Sequence, residues 1–169
     1  FGSVLVYGAV GTWTTGLDGM NFAAIQEFAG AQPEDSLLRV GLLLILLGLL
    51  FKVGIVPFQI WIPDVYQGAP TPVTAYLSVA SKTAGLLVML QLLTGPFVSL
   101  QTFVTPLLSL LAAITILFGN ITALTQRNVK RIMGLSGIAH AGYMLVGVIA
   151  AFQEPEMATR ALIIYLGAY

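Results

Sequence analysis

One run constrains this chain more than any other: RVGLLLILLGLLFKVGIVP, from Arg39 to Pro57, with Lys52 as its one interior charge. A helix needs about 20 mostly apolar residues to cross a bilayer, and this run has that length. Similar runs recur along the chain. Over all 169 residues 57% are hydrophobic and 8% are charged, whereas soluble domains carry about 25% charged residues. So few charges cannot cover the surface of a water-soluble fold of this size, so the solvent of most of the surface is lipid. The expected fold class is all-α: a polytopic bundle of transmembrane helices.

Read by hydropathy, spans fall at about 1–17, 37–66, 73–94, 97–124, 132–152 and 158–169, the last incomplete. They form one transmembrane domain. The second is broken at Pro57, which lacks a backbone donor and clashes with the preceding turn. Trp61 and Tyr66 suit an interfacial belt. Pro106 lies inside the fourth span. Asp18–Ser36 reads as a polar loop and Gln67–Pro72, QGAPTP, as a turn. The chain starts and stops within apolar runs and shows no signal peptide, which is the expectation for the central portion of a longer subunit. Arg127, Lys130 and Arg131 cluster in one short loop, 125–131. The positive-inside rule places that loop on the cytoplasmic side of a cell membrane, or on the matrix or stromal side in an organelle. Alternation puts 67–72 on the same side and 18–36, 95–96 and 153–157 on the other.

The groups able to carry chemistry are few. Formal net charge is +0, which points away from nucleic acid. The chain has no Cys and one His, so disulfides, Fe–S clusters and a structural zinc site are not expected. No phosphate-binding loop, dinucleotide fingerprint or nucleophile elbow occurs. What stands out is Lys82, about ten residues into its span and hence near mid-depth at about 1.5 Å per residue. Ionisable residues at that depth face the bundle interior or water and mark ion or proton paths. At helical spacing Ser78, Ser81, Lys82 and Gly85 share a face. The competing reading is a lysine held in a structural hydrogen-bond network.

Lys52 lies five residues before Pro57, and no Asp or Glu lies in the core of any span. An unpaired buried charge is costly, so a partner carboxylate is expected on a helix outside this sequence. Alternatively Lys52 is neutral, or reaches Asp64 around the break. His140 sits in SGIAHAGYM, with Ser136, Tyr143 and Met144 on its face. Imidazole can pass a proton between its two nitrogens, though a lone His on such a face also serves as a structural group. The basic loop reads as topology alone, and Glu156 with Arg160 as a surface pair. Gly11, Gly16, Gly54, Gly85 and Gly147 can serve close helix approach.

Two stretches carry a resemblance. FKVGIVPFQIWIPDVYQGAPTPVTAYLSVASK and GNITALTQRNVKRIMGLSGIAHAGYML resemble the signatures of the antiporter-like membrane subunits of respiratory complex I, in the form of their subunit N branch. The resemblance covers most of Lys52–Met144. It implies a fold of two inverted repeats, each with a broken helix. By position Lys52 matches the family's lysine on the first broken helix, with Pro57 at the break, and pairs there with a glutamate on an earlier helix. Lys82 matches a central-axis lysine and His140 a central-axis histidine. Ser78, Ser81 and Tyr143 would support them. Gln59 departs from the pattern, which commonly has a histidine there. The implied function is redox-driven proton translocation by a Lys/His relay, in a translocase whose NAD, FMN, Fe–S clusters and quinone are used by other subunits. No cofactor is expected in this chain. The expected partners are other membrane subunits and the bilayer, and the expected location is a bacterial inner membrane. Two rivals stand beside this: a stand-alone cation/proton antiporter or hydrogenase membrane subunit, and a purely structural membrane subunit.

Overall fold

The computed structural model describes residues 2–11 and 21–169. Among the described residues all regular structure is helical: α1 (Gly2–Gly11), α2 (Phe22–Ala31), α3 (Ser36–Val53), α4 (Trp61–Gly68), α5 (Thr71–Tyr76), α6 (Lys82–Thr94), α7 (Gln101–Leu124), α8 (Val129–Ala150) and α9 (Pro155–Ala168). A π-helical turn, Leu77–Ser81, joins α5 to α6 in one span. Ser36–Val53, Thr71–Thr94, Val98–Leu124 and Val129–Ala150 are each long and apolar enough to cross a membrane. Leu117, Ile121 and Ile164 point outward and are more than half exposed, as lipid-facing side chains are.

Local sequence sets the ends of these helices. Asp35 caps α3 by accepting from Leu38 N at 2.7 Å, and Asn128 caps α8 by accepting from Lys130 N at 3.0 Å. Both satisfy amide groups that a helix start leaves unpaired. Gly54 closes α3 in the left-handed conformation, φ 86°, with its N–H on Leu50 O at 2.9 Å. A Cβ there would run into the side chain of Ile62. Helix α3 therefore stops at Val53, three residues before the Val56–Pro57 peptide, which is cis. The break runs from Gly54 to Ile60, rather than being a kink at Pro57 alone.

Two sequence expectations change. Residues 18–36 are not loop throughout: Phe22–Ala31 is α2 and buries Ile25, Phe28 and Ala29. Those three positions are spaced i, i+3, i+4, the pattern of an amphipathic helix. Residues 67–72 are not an open turn either. Helix α4 runs to Gly68, Ala69 is extended (φ −78°, ψ 152°), and α5 begins at Thr71. Pro70 imposes this, because its ring disfavours helical geometry in the residue before it.

The deepest packing joins α7 to α8. A Cβ on Gly119 would lie 2.6 Å from Ala139 N, and one on Gly142 would lie 2.7 Å from Ile116 Cγ1. Small residues let the backbones approach, as in other membrane helix pairs. Gly85 against Val53 and Gly147 against Leu162 do the same for α6 with α3 and for α8 with α9. Gly54 is a cap rather than a crossing point, and Gly16 lies outside the described residues. At one end of the bundle Lys130 Nζ donates to Ala69 O at 3.1 Å, and Arg131 Nη1 reaches Gln67 Oε1 at 2.9 Å and Asp64 at 3.0 Å. The basic residues thus staple the α4–α5 junction, beyond any part in setting topology. They also place loop 125–131 and residues 67–70 at the same end.

Candidate functional site

Lys82 is the first residue after the π turn and is 2% exposed. Its side chain crosses from α6 to α8, where Nζ donates to the carbonyl of Gly137 at 2.6 Å. Glycine at 137 makes this approach possible: a Cβ there would sit 2.5 Å from Nζ. Nζ also donates to the Tyr169 hydroxyl at 3.5 Å, with the Tyr169 ring centroid 5.7 Å away. An ammonium against an aromatic face and a carbonyl is held without a carboxylate.

His140 lies one turn beyond Gly137 on α8, and its Nδ1 is 2.6 Å from the Tyr165 hydroxyl. The rings of Tyr143, Tyr165 and Tyr169 surround it, with centroids at 6.0, 6.0 and 5.1 Å. Tyr169 touches both ionisable groups, so Lys82 and His140 belong to one cluster. A cavity of about 500 Å³ opens beside it, lined by Tyr66, Ser78, Lys130, Ser136, His140 and Tyr169 among others. The Tyr66 hydroxyl is buried and has no hydrogen-bond partner among the described residues.

Lys52 is elsewhere. It occupies the last turn of α3, exposed in a groove with Phe51, Trp61 and Ser81. Among the described residues it has no hydrogen bond or ion pair, and Asp64 is occupied by Arg131 at 3.0 Å. The route to Asp64 is therefore not taken. What Lys52 does have is the C-terminal end of α3, whose partial negative charge favours a cation.

The supporting residues separate. Ser78 and Ser81 do not share the Lys82 face: Ser78 lines the cavity with His140, while Ser81 lines the groove with Lys52. The π turn between them adds a residue to the turn and breaks the 3.6-residue register on which the shared face was read. Lys82 and Gly85 are buried together. On α8, Ser136 and His140 line the cavity, Tyr143 turns outward to accept from Asn120 Nδ2 at 3.2 Å, and Met144 enters the core. Gln59 is buried, and its Oε1 has no hydrogen-bond partner among the described residues.

Sequence reasoning missed Tyr165, Tyr169 and Thr115. The two tyrosines are four positions apart, Tyr165 in the last turn of α9 and Tyr169 at its cap, a readable pair in the sequence. Thr115 is a buried hydroxyl in an otherwise apolar segment of α7 and accepts from Val56 N at 3.1 Å.

A bundle of membrane helices with a span interrupted beside one lysine, and a second lysine buried on the next span, defines an antiporter-like membrane subunit. The fold of a chain in the Mrp complex of Dietzia sp. agrees, with TM-score 0.79 at 21% identity over 98% of this chain and 29% of that one. The chain belongs to the family described as NADH:quinone oxidoreductase/Mrp antiporter, TM, whose model matches residues 1–169. Among its relatives is NADH-quinone oxidoreductase subunit N 1 of Opitutus terrae, 51% identical over all of this chain and 34% of the relative. A chain of respiratory complex I from Thermus thermophilus with bound aureothin superposes with TM-score 0.69 at 33% identity, over 98% of this chain and 33% of that one. This chain spans about a third of the length of the relatives it matches. The expected resemblance to subunit N is thus met, and the chain is of a multi-pass membrane type.

Proposed function

We propose that this chain is the proton-carrying portion of a subunit N-type membrane subunit of an NADH-quinone oxidoreductase, and that Lys82 holds the translocated proton. The observation that carries this is the burial of Lys82 against Gly137 O and the Tyr169 hydroxyl, with no carboxylate beside it among the described residues. An ionisable side chain held inside a membrane bundle in this way faces protein or water rather than lipid, the placement that marks a proton path. His140 and Tyr165 extend the polar chain, and Lys52, at the interrupted span, is the second charge whose repulsion the first can feel. Quinone reduction occurs in other subunits, with NAD, FMN and Fe–S clusters bound there. The membrane is a bacterial inner membrane with loop 125–131 on the cytoplasmic side, since its three basic residues have no counterpart in the other loops.

The test is Lys82→Ala in the complete subunit within the assembled complex. Quinone reduction and acidification of sealed vesicles are measured side by side. Loss of pumping and of coupled turnover with assembly intact is the expected result. An unchanged number of protons per electron would make Lys82 a structural lysine.

A further inference from the structure

The interruption between α3 and α4 takes backbone amides out of the helical ladder, and the structure shows acceptors for four of them. Gly54 N and Ile55 N both donate to Leu50 O, at 2.9 and 3.0 Å, and Phe58 N donates to Ile55 O at 2.7 Å. Pro57 has no N–H to place. Val56 N is different: its acceptor is a side chain from a distant helix, Thr115 Oγ1 on α7. Thr115 is fully buried, and its hydroxyl proton is committed to Leu111 O at 2.6 Å. The hydroxyl oxygen is therefore oriented with a lone pair toward Val56. Val56 itself is half-buried, but its N–H points at a fully buried hydroxyl, and an amide left unpaired there is costly in a membrane, where no water replaces the lost partner.

This bond links two parts of the site. Val56 lies four residues after Lys52, beyond the Gly54 cap. Thr115 lies one turn before Gly119, which seats α7 against Ala139 of α8 next to His140, and directly before Ile116, which packs against Gly142. We infer that Thr115 is a positioning residue: its hydroxyl holds the interruption, and with it Lys52, in register with the α7–α8 pair that carries His140. The inference rests on the proton-relay reading above. Thr115 touches no reacting group and acts through Lys52.

The experiment compares Thr115→Val, Thr115→Ser and Thr115→Ala in the full-length subunit of the assembled complex. Valine keeps the shape and removes the hydroxyl. Serine keeps the hydroxyl and removes the methyl. Protons pumped per electron are read beside the amount of assembled complex. The expected result is a loss of about fivefold or more in Thr115→Val, by the size of a buried unpaired amide, with Thr115→Ser near the parent. A valine variant that pumps like the parent overturns the inference. So does a serine variant as impaired as the valine one, because the effect is then packing. If the valine complex does not assemble, serine against alanine decides: serine near the parent with alanine impaired supports the inference, and equal values overturn it. Lys82→Ala run alongside separates the two readings. If it abolishes pumping while Thr115→Val does not, the relay stands and the positioning role falls. If it leaves pumping unchanged, the relay itself falls.

Discussion

A tyrosine hydroxyl 2.6 Å from His140 Nδ1 engages that nitrogen of the ring, and in the proposed relay the other nitrogen exchanges the proton. The residue doing this, Tyr165, carries no charge and sits in an apolar segment, so its role comes from contact alone. Tyr165→Phe keeps the ring and removes the hydrogen bond. A bond of this kind contributes about 0.5–1.5 kcal/mol, so coupled pumping is expected to fall by about two- to tenfold. Tyr76→Phe, at an exposed position (69%), serves as the comparison. Equal pumping by the two variants in sealed vesicles would show that Tyr165 only fills space. Lys82 differs in kind from Tyr165. Its depth in the span was readable from the sequence, while its acceptor, Gly137 O, was not.

At the scale of the element, the interrupted span depends on a single left-handed residue. Gly54 has φ 86°, and a side chain there costs about 1–2 kcal/mol for the backbone alone, before the collision with Ile62. Gly54→Ala is therefore expected to lower the thermal stability of the assembled subunit clearly. Gly48→Ala, six residues earlier on the same helix, has open space around the new methyl and favours helix, so it is expected to be neutral or slightly stabilising. Thermal unfolding of the two variants, followed side by side, checks this. Two equal midpoints would mean that the cap does not hold the interruption. The π turn Leu77–Ser81 works on the neighbouring span in another way. It turns Ser78 toward one lysine-containing region and Ser81 toward the other, a division that a 3.6-residue reading could not show.

For the whole molecule, Lys52 lies in a groove with Ser81, while Lys82 is buried against Gly137 of α8. Gly85, one turn after Lys82, has Lys52 Cγ 3.9 Å from where its Cβ would be. The two charges share a relay in the proposed function, so their losses should not add. Lys52→Ala and Lys82→Ala are each expected to lower pumping by an order of magnitude or more, and the double variant to be little worse than the poorer single one. Coupling between members of one network typically reaches about 0.5–3 kcal/mol in such cycles. Proton pumping by the assembled complex, measured for all four combinations, gives the cycle. A double variant whose loss equals the product of the two single losses would mean that the lysines act separately.

The sequence by itself determined the solvent, the class of fold and where along the apolar runs the charged residues fall. Lipid acts on composition segment by segment, so each apolar run and each interior lysine carries its meaning locally. The helix-terminating chemistry at Gly54, Pro70 and Asn128 is local in the same way. Only the tertiary structure decided which groups meet. Lys82 with Tyr169, Lys130 with Ala69 and Thr115 with Val56 are pairs separated by 87, 61 and 59 positions. Such pairs form because helices pack at distances set by small residues such as Gly119 and Gly142. No periodicity within one helix records what stands on its neighbour.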